Sequence, residues 1–184
     1  MLYIMRHGST DWNENHKLQG RVDIPLNENG RDMARKAADL YKDVHLDVCY
    51  CSPLIRARET ADIVLNNRNI PIITDDRLKE MSFGIFEGIE NYFERSDCPI
   101  SALFRDPEKY TEIPEGAESF EQLFTRTGEF LEEVIDPELK KGKDVLIVGH
   151  GAMNTSIICR IRDIPVKDFW SVGIEQCKLI ELKC

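Results

Sequence analysis

Short runs of consecutive apolar residues alternate along this chain with longer stretches whose apolar positions recur at helical spacing. The first run, Leu2-Tyr3-Ile4-Met5, ends at Arg6. Asp47–Cys51, Pro71–Thr74, Val145–Val148 and Glu175–Leu182 are further predicted strands, and Val145-Leu146-Ile147-Val148 is the clearest of them. Between the strands, Gly30–Tyr41 places Met33, Ala37, Leu40 and Tyr41 on one helical face. Pro53–Asn66 does the same with Ala57, Ala61, Val64 and Leu65, with Ser52 the expected N-cap and Pro53 in the first helical position. Glu118–Ile135 predicts a long amphipathic helix. The Gly149-His150-Gly151 turn leads into another helix, ending near Arg160. Ser9–Asn29 shows no clear period and predicts an extended loop, and Met81–Gly88 predicts a glycine-rich aromatic loop. Tyr92–Pro114, broken by Pro99, Pro107 and Pro114, predicts an irregular insertion.

Strands that are apolar throughout, rather than alternating, belong to sheets covered on both faces. The fold class expected is therefore α/β: a three-layer α/β/α arrangement around a central, mostly parallel sheet, with a small helical or irregular cap insertion. A chain of 184 residues without internal repeats suits one such domain over 1–184, with the cap at about 89–117. In sheets of this kind ligands bind beyond the carboxyl ends of the strands. Arg6-His7 and His150 each follow such an end.

Charge narrows the partners. Lysine and arginine total 24 against 33 acidic residues, a formal net charge of −9, which disfavours nucleic acid and anionic membranes as main partners. It leaves room for a small anion held by a local arginine cluster. No run approaches the roughly 18 apolar residues needed to span a bilayer. The opening apolar run is too short for a signal peptide, so a cytoplasmic location is expected. Six cysteines, Cys49, Cys51, Cys98, Cys159, Cys177 and Cys184, form no CxxC pair, so neither a zinc site nor a redox pair is expected. Those in apolar segments read as small core residues.

A transferring phosphoryl group needs its oxygens neutralised, an in-line nucleophile and a proton donor for the leaving oxygen. Four segments end in suitable residues: Arg6-His7, Arg56, Glu80, and His150 at a glycine-flanked helix N-terminus that favours anions. Taken singly, His7 serves equally well as a core histidine, Arg56 as a solvated helix charge and Glu80 as an exposed carboxylate. His16 and His45 are expected on the surface, and the acidic stretch around Glu129–Glu133 on a solvated helix face.

Together the segments are more specific. Met5-Arg6-His7-Gly8-Ser9-Thr10-Asp11-Trp12-Asn13, Leu18-Gln19-Gly20-Arg21, Ser52-Pro53-Leu54-Ile55-Arg56-Ala57, Leu78-Lys79-Glu80, Phe83-Gly84-Ile85-Phe86-Glu87-Gly88, Pro114-Glu115-Gly116 and Val148-Gly149-His150-Gly151 occur in this order. In that set and order the chain closely resembles the histidine phosphatase superfamily, phosphoglycerate mutase-like branch, over nearly its whole length. The resemblance implies that His7 attacks phosphorus and becomes a phosphohistidine. Arg6, Arg56 and His150 would hold the phosphoryl oxygens, with Asn13 a neutral donor and Gln19, Gly20 and Gly151 in the same binding set. Glu80 would protonate the leaving alcohol and then help activate water. It implies neither a metal nor a cofactor.

Gly149 and Ala152 depart from the serine and glycine frequent in the family, and Glu59 stands where glutamine is common. Mutases of this branch are typically longer, so the resemblance points first to a small phosphatase-type phosphomonoesterase. The substrate would be a small phosphorylated metabolite: a sugar phosphate, a phosphoglycerate-type acid, a nucleoside phosphate or a ribazole phosphate. A phosphoglycerate mutase-type transferase and a non-catalytic phospho-ligand binder are the alternatives. Tyr92, Phe93, Arg95, Phe104, Arg105 and Tyr110 in the insertion are candidates for selectivity, with Arg95 and Arg105 suited to a second anionic group. The last strand offers an edge for pairing between subunits, and the oligomeric state stays open, a homodimer included.

Overall fold

The computed structural model describes residues 1–92, 94, 95 and 98–183. Five strands form one sheet: β1 (Leu2–Arg6), β2 (Val48–Cys51), β3 (Ile72–Thr74), β4 (Val145–Gly149) and β5 (Leu179–Leu182), in the spatial order β3-β2-β4-β1-β5. Four strands are parallel, and β5 runs antiparallel along β1. The β1–β4 register runs from Leu2 opposite Val145 to Arg6 opposite Gly149. It continues one residue further, where the His7 amide donates to the Gly149 carbonyl at 2.9 Å. That register alone sets the Arg6-His7 pair beside Gly149-His150.

Among the described residues, seven α-helices accompany the sheet: α1 (Asp11–Glu14), α2 (Glu28–Leu40), α3 (Ile55–Val64), α4 (Ile100–Arg105), α5 (Phe120–Phe130), α6 (Asp136–Lys140) and α7 (Gly151–Arg162). Successive strand residues alternate between faces. Met5, Cys49, Cys51, Leu146 and Val148 join the cluster under α2 and α3. Leu2, Ile4, Val48, Tyr50, Val145 and Ile147 join the one under α5 and α7. Both faces are covered, which is why the strands are apolar at every position, and the fold is the expected three-layer α/β/α arrangement. Among the described residues no helix is long and apolar enough to cross a membrane.

Several local expectations are corrected. The stretch Ser9–Asn29 is not all loop: Thr10 caps α1 through a reciprocal capping box with Asn13, and α2 begins at Glu28, capped by Asn27. The buried stripe of α2 is Gly30, Ala34 and Ala37, whereas Leu40 is 72% exposed. Small residues win because the helix backbone crosses close over the chain after β1; a Cβ on Gly8 would lie 2.5 Å from the Gly30 carbonyl oxygen.

Ser52 and Pro53 do not open α3. The helix starts at Ile55, whose amide is satisfied by Asp23 Oδ1 at 2.7 Å, since the Ser52 hydroxyl is engaged elsewhere. The long helix predicted from Glu118 ends at Phe130, and a π-helical turn (Leu131–Ile135) passes it into α6. β5 is shorter than predicted and lies at an edge of the sheet. The described cysteines, Cys49, Cys51, Cys98, Cys159 and Cys177, are buried and unpaired.

Candidate active site

The carboxyl ends of β1, β2 and β4 open into a cavity of about 360 Å³, the size of a small-molecule site. Arg6, His7, Asn13, Gln19, Gly20, Arg56, Glu80 and Gly151 line it, so the structure brings together residues spread across the sequence. His150 lies directly behind: its ring centroid is 5.1 Å from that of His7.

His7 is fixed by its own chain. Its Nδ1 lies 2.7 Å from the Gly8 carbonyl oxygen. A carbonyl only accepts, so Nδ1 carries the proton and Nε2 keeps a lone pair. The Gly8 amide in turn donates to Thr60 Oγ1 at 3.1 Å, and Thr60 donates to the Arg56 carbonyl at 2.7 Å. The turn that aims His7 is thereby bolted to α3. His150 Nε2 sits 2.7 Å from Ser52 Oγ, which also accepts the Leu54 amide.

Arg56, expected on its own to be as much a solvated charge as a ligand, is fully buried. Its Nη1 and Nη2 donate to the carbonyls of Val22 and Gly20 at 2.8 and 2.7 Å. The same loop is held from its other side by Glu87, whose carboxylate accepts the amides of Arg21, Val22 and Phe83. Gly20 adopts φ +54°, and a side chain there would run into Glu87. Arg6 donates through Nη1 to the Ile174 carbonyl at 3.2 Å. Asn13 Oδ1 accepts from Thr10 and Gln176, which turns its amide group into a fixed part of the wall.

Glu80 is nearly buried and accepts three amides: Met81 and Met153 on Oε1 at 2.8 and 3.0 Å, and Ala152 on Oε2 at 3.2 Å. Two of these donors are unpaired amides of the first turn of α7, where the helix dipole favours a carboxylate. The Glu80 carbonyl is held by Arg21 Nε at 3.1 Å, and Arg21 reaches Glu118, itself clamped by Arg126.

Three buried nitrogens, Arg6 Nε, Arg56 Nε and His150 Nδ1, have no hydrogen-bond partner among the described residues. Such groups are costly unless a ligand completes them. Burial pushes Arg56 down to about 10, against the opposing pull of Glu80, Asp23 and Glu87, so it stays cationic at neutral pH. With two guanidinium groups against the single carboxylate of Glu80, the site suits a multiply charged oxyanion with several acceptor atoms.

Burial, then Arg56 and Arg6, holds His7 well below the usual 6.5, despite its bond to Gly8. Burial and the same arginines, with His7, do likewise to His150. Both rings are neutral in the folded chain at neutral pH. As pH falls through about 6.5 the unfolded chain takes up these protons first, so folding stability is lost on the acid side. The urea midpoint is expected to drop between about pH 7.5 and about pH 5.5, and to drop less in His7→Asn. Equal drops in the two proteins would contradict a buried neutral His7.

The remaining candidates fall elsewhere. His16 and His45 are exposed, as expected. Tyr110 is buried edge-on against Phe120 and donates to the Glu118 carbonyl, a packing role. Arg95 and Arg105 are exposed and not among the cavity-lining residues, whereas Tyr92 and Phe104 are. Phe93 lies outside the described residues. Sequence reasoning missed Ser52, Thr60 and Glu87 as supports and Lys17, Phe83 and Trp170 as lining residues. Only the strand-end position of Ser52 offered a signal. Glu59 accounts for its own departure from the family pattern, since it accepts from the Leu26 amide and Arg31 Nε at 3.2 and 2.6 Å.

The sequence profile of the histidine phosphatase superfamily (branch 1) matches residues 2–184. A 2,3-bisphosphoglycerate-dependent phosphoglycerate mutase of Cytophaga hutchinsonii is 32% identical over 95% of this chain and 83% of its own length. Phosphoserine phosphatase 1 of Hydrogenobacter thermophilus is 30% identical over 95% and 82%. The solved structure of Bacillus stearothermophilus YhfR superposes with a TM-score of 0.87 at 32% identity, covering 99% of this chain and 91% of that one. Phosphatases and mutases thus stand side by side among the relatives, and action on phosphate is what they share. This chain belongs to the histidine phosphatase superfamily, branch 1.

Proposed function

We propose that the chain is a metal-independent phosphomonoesterase that hydrolyses a small phosphorylated metabolite through a phosphohistidine on His7. The observation that carries this reading is the neutral His7 ring, its Nε2 lone pair free of any bond within the ring's own turn, beside buried nitrogens of Arg6, Arg56 and His150 that lack partners among the described residues. His7 Nε2 forms a bond to phosphorus as the bond to the ester oxygen breaks, and the Glu80 carboxyl supplies the proton that the leaving alkoxide takes. Water then attacks phosphorus, its proton passes to Glu80, the P–N bond breaks, and orthophosphate leaves a neutral His7.

Arg6 and Arg56 stabilise charge on the transferring group through both steps, with His150, Asn13, Gln19, Gly20 and Gly151 completing its binding set. The donor set suits no divalent cation. Glu80 is the one carboxylate lining the cavity among the described residues, and three amides already hold its oxygens. We take 1–184 as one domain with 89–117 as its cap, acting in the cytoplasm.

A mutase must keep its phosphohistidine dry while substrate reorients. Of the described cap residues only Tyr92 and Phe104 line the cavity, which favours hydrolysis. The mutase reading has support from the Cytophaga relative. The test is phosphate release from a panel of phosphomonoesters with EDTA present, beside exchange of 3- and 2-phosphoglycerate with 2,3-bisphosphoglycerate added. Chelator-resistant release is expected. Rapid exchange without release would establish the mutase, and tight vanadate binding without either would establish a binder.

A further inference from the structure

Away from its cationic end the cavity is walled by aromatic rings. Phe83, Tyr92, Phe104 and Trp170 line it: Phe83 from the loop after Glu80, Tyr92 and Phe104 from the start and the α4 helix of the cap, and Trp170 from the 3-10 turn (Val166–Val172) that follows α7. Phe104 is the hub. Its ring centroid lies 5.0 Å from Trp170 in a stacked pair at 26°, 4.8 Å from Tyr92 and 5.9 Å from Phe83. The Trp170 indole N–H is spent on the Leu103 carbonyl at 2.7 Å, so the part of the ring facing the cavity is apolar.

Rings whose task is only to seal an element onto the core disappear from solvent, as Phe130 and Phe169 do. Tyr92, Phe104 and Trp170 remain half-buried and present area to the cavity. Burial keeps the Tyr92 phenol neutral by raising it to about 12, an effect to which Glu80 adds. Beyond the groups of the cationic end and the Tyr92 phenol, the polar lining side chains are Asn13, Lys17 and Gln19. Lys17 is paired with Glu90 at 3.1 Å, and Gln19 Oε1 takes the Thr10 hydroxyl at 3.0 Å. A carboxylate or polyol seated against the rings themselves would set unpaired oxygens on apolar faces, which is unfavourable.

We infer that the alcohol portion of the substrate carries a flat aromatic or conjugated ring, seated against Phe104 and Trp170 while its phosphate lies between Arg6 and Arg56. This rests on the phosphomonoesterase reading and names its substrate class. Aromatic pairs at such separations favour ring ligands beyond the area they bury.

The experiment compares 2-phenylethyl phosphate with glycerol 3-phosphate, esters of alcohols of similar basicity, so that leaving-group chemistry does not decide the outcome. The kcat/KM of the wild type is expected to be at least about tenfold higher for the phenylethyl ester. Phe104→Leu and Trp170→Leu should each shrink that ratio. Equal values, or a preference for glycerol 3-phosphate or 3-phosphoglycerate, would overturn the inference. Should neither these esters nor any of the phosphomonoester panel be hydrolysed, the phosphomonoesterase reading fails. Calorimetry with benzylphosphonate and methylphosphonate then decides the ring site: tighter binding of the benzyl compound supports it, and equal binding rejects it.

Discussion

Replacing His7 by alanine is expected to lower kcat for phosphoester hydrolysis by at least about 10⁴-fold. Its ring presents a lone pair at a defined atom, Nε2, because the Gly8 carbonyl takes the Nδ1 proton. Burial, then Arg56 and Arg6, suppress its protonation, so Nε2 stays available to act as a nucleophile at and below neutral pH. No neighbour can substitute: His150 is turned onto Ser52, and Glu80 onto the amides of Ala152 and Met153. Rapid acid-free quenching of the wild type with labelled substrate should trap an acid-labile phosphoenzyme that the variant lacks. A variant retaining more than about one hundredth of the activity would remove His7 from the nucleophile role.

Arg56→Met is expected to separate catalysis from folding. Losing the guanidinium should cost about 10³-fold in kcat/KM, the scale of removing one donor aimed at transition-state charge. Two opposing effects bear on stability. The Val22 and Gly20 carbonyls each lose a donor, at about 1–3 kcal/mol apiece. Against this, the displacement of Arg56 from 12.5 to about 10 means its burial as a cation costs roughly 3 kcal/mol, a cost the variant no longer carries. The net change therefore lies between a gain of about 1 and a loss of about 3 kcal/mol, readable as a small shift in the denaturant midpoint. Orthophosphate should raise the midpoint of the wild type far more than that of the variant. Activity within about tenfold of wild type would show that Arg56 serves the Gly20 loop and not the phosphoryl group.

Much of the site was legible in the sequence because its residues follow strands that are apolar at every position. Arg6-His7 and Gly149-His150 could be placed at strand ends, and a parallel pairing then makes them neighbours. Less legible was everything fixed by a close crossing or a backbone partner. Leu40 looked like a core residue because pattern reading weighs large apolar side chains, yet α2 touches the sheet layer through Gly30, Ala34 and Ala37. Ser52 looked like an N-cap because its neighbour is proline, yet its hydroxyl is drawn to a histidine 98 positions away. Glu87 read as part of a turn motif, and its three amide bonds became visible only with the Gly20 loop folded against it. Arg95 and Arg105 fit a second anion by charge alone, and the cap carries both to the outside.

The pairing of β1 also sets when the molecule becomes competent. Leu2 pairs with Val145 and Leu182, so β1 waits for strands made more than a hundred residues later. A chain still in synthesis carries the His7 imidazole early but has neither the strand beside it nor the helix end that receives Glu80. Contacts of such long sequence separation form slowly, and an apolar strand left waiting for them invites association with other chains. Until α7 is made the candidate site is therefore unassembled, and β1 stays an open apolar strand until β4 and β5 flank it.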